Sequence, residues 1–328
     1  MTLVLLDRYR DVIVEGLRAA LAGDGPLDGV LRYHTGLADR DGQPADALGK
    51  LLRPALVLLI AEELGGEIER ALPAAVGLEL IHGFSLIHDD VQDRDEMRRG
   101  RPTVWTLWGV AEAINAGDLM HAIAVRQALK AGPEAAHALL AATSEMIEGQ
   151  SFDLSFEDRF VPPADVLGMM DRKTGALFRC AFELGGLVSD AEADVRGRLR
   201  QLGVSIGRAF QIQDDLLGIW GDGDVVGKPV GSDIRRRKKS YPIALGYDGA
   251  STEERANLER LYEQEPMGAD DVSWVVGLLD RLDVRGQGCG AVEEYLADAR
   301  AALDGTAFST SGRTILLELV EFLARRVS

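Results

Sequence analysis

The chain has 328 residues, 46% hydrophobic and 27% charged, so it is globular and large enough to bury a core. A formal net charge of −17 argues against nucleic acid as a partner, because no continuous basic face can form on that background. The two cysteines, Cys180 and Cys289, have no metal-ligand spacing, and the expected compartment is the reducing cytoplasm.

The amino terminus, MTLVLLDRYRDVIVEGL, meets Asp7 before any long apolar stretch develops and reads as an amphipathic first helix. Apolar periodicity, with Ala, Leu, Glu and Arg dominating, predicts helices over 5–22, 27–38, 50–64, 70–93, 105–131, 134–149, 164–188 and 190–219. Shorter ones follow over 240–247, 251–263, 270–282, 287–303 and 311–326. The breaks fall where Gly, Pro and Asp gather, as in DRDGQPAD and EDRFVPP, and none is long enough to be an interdomain linker. One all-α domain over 1–328 is therefore expected. No run approaches ~18 apolar residues, so no membrane-spanning helix is expected.

In chain order, the first chemically suggestive stretch is GKLLRP, with Lys50 and Arg53 on one face at the start of a helix. The next, ELIHGFSLIHDDVQDRDEMRRGRP, runs from Glu79 to Pro102 and places Asp89, Asp90 and Asp93 within about one third of a helical circumference. Carboxylates so crowded repel one another unless a cation sits among them, and hard oxygen ligands suit Mg²⁺ shared with a phosphorylated substrate. The sign then flips at Arg98, Arg99 and Arg101, which suits them to gripping phosphate. Lys173 follows in RKTGALF. FQIQDDLLGI then echoes the first acidic stretch, with Asp214 and Asp215 as a second Asp pair. Lys228, Asp233 and the basic run from Arg235 to Lys239 lie beyond it. Two acidic clusters and several separate cations suggest two polyanionic groups.

Those motifs, in that order over nearly the whole chain, resemble the trans-isoprenyl diphosphate synthases, the polyprenyl synthetases. The resemblance implies a single-domain helical bundle around a central cavity, acting as a homodimer. It implies condensation of isopentenyl diphosphate with an allylic diphosphate, aided by Mg²⁺, three ions per active site. Asp89, Asp90, Asp93, Asp214 and Asp215 would hold the metal. Arg98, Lys173, Lys228 and Lys239 would contact the allylic diphosphate; Lys50, Arg53, His82 and Arg99 would form the isopentenyl diphosphate pocket. Gln150, Asp153 and Gln211 match polar positions lining the cavity, and Asp233 an outer position near the metal. Asp89, Asp90, Lys173 and Asp214 would carry the catalysis.

One departure stands out: the family's second motif usually ends in Asp, and here that position is Gly218. Phe84, Leu119, Phe178 and Phe210 are candidates for an apolar wall that keeps water from a carbocation. The resemblance makes Phe84, beside the small Ser85, a gate on product length of the C20 type, geranylgeranyl diphosphate, with farnesyl diphosphate next. The helical wheel alone makes Phe84 core. A class I terpene cyclase and an inactive partner subunit remain as alternatives. The first is disfavoured because DDLLGIWGD lacks the hydroxyl and Glu of such enzymes, the second because the first acidic motif keeps all three Asp.

Overall fold

In the computed structural model, which describes residues 4–221, 231–264, 266–304, 306 and 308–325, nearly all regular structure is helical. Two compact units can be distinguished, both discontinuous in sequence. The first comprises Met1–Thr143, Arg179–Arg200 and Thr306–Ile315; the second comprises Ser144–Phe178, Gln201–Gly305 and Leu316–Ser328.

Within the first unit the central helices are α3 (Leu52–Glu63), α4 (Ile68–Gln92) and α6 (Val110–Ala131). Every residue of α3 from Ala55 to Ala61 is fully buried, as expected for a helix apolar on all sides. Helix α4 packs against both α3 and α6. It is long and apolar enough on average to cross a membrane. Its apolar positions Leu78, Ile81, Phe84 and Ile87 are instead buried inside the unit, so it is a core helix. The predicted 105–131 helix is split at Gly109, whose φ of 87° no helix accommodates, into α5 (Val104–Trp108) and α6.

Between α4 and α5 lies a feature absent from the helical prediction, a small hairpin of β1 (Met97–Arg98) and β2 (Arg101–Pro102) with Arg98 opposite Arg101. Its two turn residues, Arg99 and Gly100, have φ of 52° and 72°. Positive φ at both central positions is the signature of a type I′ turn, whose twist matches the flanking strands.

The second unit holds most of α10 (Ala193–Trp220) and a core of Ile219, Ile234, Leu258, Val275, Leu279 and Val284. Helix α7 (Pro133–Phe156) runs seven residues beyond its predicted end. The predicted 164–188 helix is α8 (Pro163–Met170) and α9 (Ala176–Val188) joined by one wide π turn, Asp171–Gly175. Such turns insert a residue and re-aim side chains, often at functional positions. Here the turn carries Lys173.

Candidate active site

The first acidic motif sits at the carboxyl end of α4, and its three carboxylates differ in surroundings. Asp89 is partly exposed and Asp93, one turn on, is exposed. Asp90 points inward at 1% exposure and accepts a 2.6 Å hydrogen bond from Arg98 Nε on Oδ1. Its Oδ2 is buried and accepts no hydrogen bond. Burial raises the Asp90 carboxyl to about 6, with the Arg98 guanidinium pulling the other way.

The hairpin supplies the neighbouring cations. Arg99 pays the left-handed backbone cost that a non-glycine residue rarely accepts, typically ~1–3 kcal/mol. Its guanidinium lies over Gly49: a Cβ there would stand 2.6 Å from Arg99 Nη2. That brings the GKLLRP segment and the turn together. Leu51, the next residue but one, is also left-handed, with φ of 53°. Arg53, Arg98 and Arg99 all act on His82, which withdrawal from water and those cations hold well below its ordinary value, so the imidazole is neutral. His34 is likewise lowered, to about 3, by desolvation and then Arg98 and Arg99. Glu79 is the nearby carboxyl, raised to about 7 by desolvation against the pull of Arg53 and Arg99. Desolvation lowers Arg53 to about 10, so it stays charged at neutral pH. Lys50 is exposed at the start of this segment. The result is a cluster of guanidiniums and neutral imidazoles whose charge suits an anion. Arg101 is occupied elsewhere: its guanidinium stacks 4.0 Å from the Tyr33 ring centre and donates to Ala38 O at 2.9 Å.

Below Asp89 on α4, Phe84 is buried and its ring lies 5.0 Å from that of His88 and 5.3 Å from that of His121. Ser85 Oγ donates to His82 O at 2.9 Å, the local back-bond of a helical serine. Leu119 is part-buried on α6.

In the second unit, Asp214 is exposed and Asp215 buried. Asp215 accepts hydrogen bonds from Gln211 Nε2 at 3.2 Å, Lys238 Nζ at 2.8 Å and the Tyr241 backbone N–H at 3.1 Å. Gln211 in turn accepts from Thr174 Oγ1 at 2.8 Å, tying the π turn to the second Asp pair. Lys173, in the same turn, pairs with Asp153 at 2.5 Å. Gln150 is part-buried on α7. Phe178 is fully buried with its ring 5.2 Å from that of Phe210, so it serves the core.

Within the basic run, Lys238 meets the second Asp pair at Asp215, and it also lies 3.8 Å from Asp233. Desolvation alone would lower its pKa, but Asp215 and Asp233 outweigh that and raise it. Lys239 donates to Glu157 O and lies over the Phe160 ring. Adjacent lysines carry no signal in sequence that would separate them. Lys228 lies outside the described residues.

Among the described residues no three His, Cys, Asp or Glu side chains converge tightly enough to cage an ion. Mg²⁺ does not need such a cage, since it takes one or two carboxylates plus substrate phosphates and keeps several waters. The all-oxygen donors at Asp89 and Asp93, and the buried Asp90 Oδ2 that accepts nothing, fit that use.

The sequence profile of the polyprenyl synthetases matches residues 43–279. A (2E,6E)-farnesyl diphosphate synthase of Mycobacterium tuberculosis is 45% identical over 249 residues, 74% of this chain and 69% of that protein. A geranylgeranyl diphosphate synthase of the same organism is 38% identical over 310 residues, 92% of this chain and 87% of that one. Among solved structures, a polyprenyl synthetase from Streptomyces coelicolor A3(2) has a TM-score of 0.89 at 36% identity, covering 98% of this chain and 99% of its own.

Proposed function

Because the chain belongs to the polyprenyl synthetase family, a family of transferases, we propose that it condenses isopentenyl diphosphate head-to-tail with an allylic diphosphate. The carrying observation lies within the first unit: an outward Asp89/Asp93 face, with Arg98 bound to the neighbouring Asp90 and Arg53, Arg98 and Arg99 all acting on neutral His82. One group of side chains suits a metal-borne diphosphate, the other a diphosphate held by cations alone. In the proposed enzyme the two units work as one catalytic domain, in a cytoplasmic homodimer.

Mg²⁺, when bound through the outward carboxylates, supplies the positive charge that makes pyrophosphate a good leaving group. Asp90 and Asp215 position the site: each is clamped by a cation, Arg98 and Lys238, and so fixes the helix end that presents its neighbours. The allylic C–O bond breaks and its electron pair leaves with pyrophosphate, while the isopentenyl double bond supplies the pair that forms the new C–C bond. The proton released from the isopentenyl unit passes to the departing pyrophosphate. Arg53, Arg99 and Lys50 hold the isopentenyl diphosphate, and neutral His82 can donate a hydrogen bond to it without giving up a charge. Lys173, aimed by the π turn, serves the allylic diphosphate. Such fixed charges act most strongly where charge develops in the transition state.

The proposed product is the C20 geranylgeranyl diphosphate. Support comes from the aromatic at Phe84, the small residue at Ser85 and the similarity to a geranylgeranyl synthase along most of the chain. The test is incubation of the purified protein with isopentenyl diphosphate, each allylic primer and Mg²⁺, with products separated by length. Accumulation of farnesyl diphosphate overturns the C20 assignment. Failure to consume isopentenyl diphosphate overturns the condensation itself. Asp89→Ala or Asp214→Ala should lower turnover by several orders of magnitude, and EDTA should abolish it.

A further inference from the structure

The π turn at Asp171–Gly175 divides its side chains between two helices. Lys173 reaches α7, where it pairs with Asp153 at 2.5 Å. Asp171 and Thr174, three residues apart, meet α10 instead. Asp171 accepts two hydrogen bonds from Arg208, from Nε at 2.7 Å and Nη2 at 2.6 Å, one on each carboxylate oxygen. Thr174 Oγ1 donates to Gln211 Oε1 at 2.8 Å. The backbones also come close, since a Cβ on Gly207 would stand 3.1 Å from Gly175 Cα. Gly207, Arg208 and Gln211 fall within about 100° of the α10 circumference. Asp215, which accepts from Gln211, continues that face one turn on.

The Arg208–Asp171 pair is poorly placed to serve stability alone. Its side chains are 31% and 26% exposed, and ion pairs with such access to water add little to the free energy of folding. What a two-pronged contact between guanidinium and carboxylate does fix is distance and plane. A second contact holds the guanidinium itself, whose carbon lies 5.1 Å from the ring centre of Tyr295 on the helix Val284–Asp304. A wide turn departs from ordinary helical hydrogen bonding and persists where its surroundings hold it. Asp171 opens this turn two residues before Lys173, so a fork on Asp171 sets the direction in which Lys173 leaves the backbone.

We propose that Arg208 and Asp171 are positioning residues for the allylic diphosphate: their ion pair clamps the π turn to α10 and so holds Lys173 at the angle its phosphate contact requires. Neither side chain need touch the substrate. This deepens the proposed function and rests on Lys173 serving the allylic diphosphate there.

The test measures binding of farnesyl thiolodiphosphate, an allylic analogue whose C–S bond resists ionisation, by titration calorimetry with Mg²⁺ present, and thermal melting checks folding. Asp171→Ala and Arg208→Leu should each weaken binding by about 10- to 100-fold, as when a binding group is misplaced by about 1 Å. The double variant should lose no more than the worse single one, because both break the same contact. Arg208→Lys, which keeps the charge and loses the fork, should fall between wild type and Arg208→Leu. In a Lys173→Ala background, Asp171→Ala should cost no more than about twofold further, since its effect runs through Lys173. Asp190→Asn breaks a comparable two-pronged pair, with Arg70 at 2.6 and 3.0 Å, and should leave binding unchanged.

Wild-type affinity in folded Asp171→Ala and Arg208→Lys overturns the proposal. So does a loss from Asp171→Ala that is as large without Lys173 as with it, or one that Asp190→Asn reproduces. In turnover, Asp171→Ala should raise the allylic KM and leave the isopentenyl KM nearly unmoved, and an equal rise in both overturns the proposal too. Isopentenyl diphosphate consumption by the wild type is measured separately. If the wild type condenses and the affinity for the analogue ignores Asp171, only this inference falls. If that affinity follows Asp171 through Lys173 but no condensation occurs, the functional reading falls and the positioning assignment stands. A wild type that does not bind the analogue overturns both.

Discussion

Gly149→Ala tests whether the π turn at Asp171–Gly175 is held where catalysis needs it. A Cβ on Gly149 would collide with the backbone N of Lys173 and stand 2.7 Å from both Lys173 Cα and Arg172 C. These are backbone atoms, which cannot rotate aside as a side chain can. The turn would have to retreat by about 1 Å, taking Lys173 from Asp153 and Thr174 from Gln211, and a displacement of that size can cost about 100-fold in rate. Overpacking of this kind costs about 1–3 kcal/mol, which for a chain of this size lowers Tm by roughly 1.5–4.5 °C. Gly197→Ala is the internal comparison: the same change within α10, where an added Cβ meets nothing within 4 Å. It should raise stability by about 0.4–1 kcal/mol and leave turnover alone. The assay is thermal melting with steady-state kinetics on all three proteins. Gly149→Ala with wild-type Tm and kcat would refute the reasoning, since the close approach would then have no consequence.

Glu79, at about 7 when folded against an ordinary 4.5, binds its proton more tightly in the native state. Its contribution to stability is therefore full below about 4.5 and is lost as pH rises through 7, by about 3–3.5 kcal/mol in all. Glu79→Gln should flatten that decline, which denaturant unfolding at pH 5 and pH 8 would reveal; an unchanged pH dependence counts against the assignment. Arg53→Ala should raise KM for isopentenyl diphosphate by at least tenfold, about 1.4 kcal/mol, and leave the allylic KM nearly unmoved. An equal rise for both substrates would mean that the pocket is not divided as proposed. Phe84→Ala should lengthen the prenyl product and Ser85→Phe shorten it, read by chromatography of the dephosphorylated alcohols. An unchanged distribution from a folded, active Phe84→Ala enzyme would leave the ring as packing between His88 and His121.

The sequence by itself determined the all-helical class, most helix boundaries and the chemical inventory. Helical periodicity is a local property, and α4, α6 and α10 need no distant partner to be recognised. The Asp pairs and the arginines are likewise legible, because crowding of like charge is visible in one turn of chain. What lay beyond it depended on direction and on distant neighbours. Asp89 and Asp90 differ by one residue, about 100° of rotation, and only the fold decides which of them is buried on Arg98. Lys238 and Lys239 are equivalent on paper, yet one meets Asp215 and the other Glu157. The wide turn at Asp171–Gly175 and the left-handed Arg99 are backbone states that carry a local cost, and surrounding contacts, such as Gly149 against Lys173, fix them in place. Gly218 shows the division most plainly. In sequence it is a missing carboxylate, and in the folded chain it is the space that Asp233 fills, because the stretch from Gly231 to Asp233 is held against the end of α10 by hydrogen bonds that no local pattern encodes.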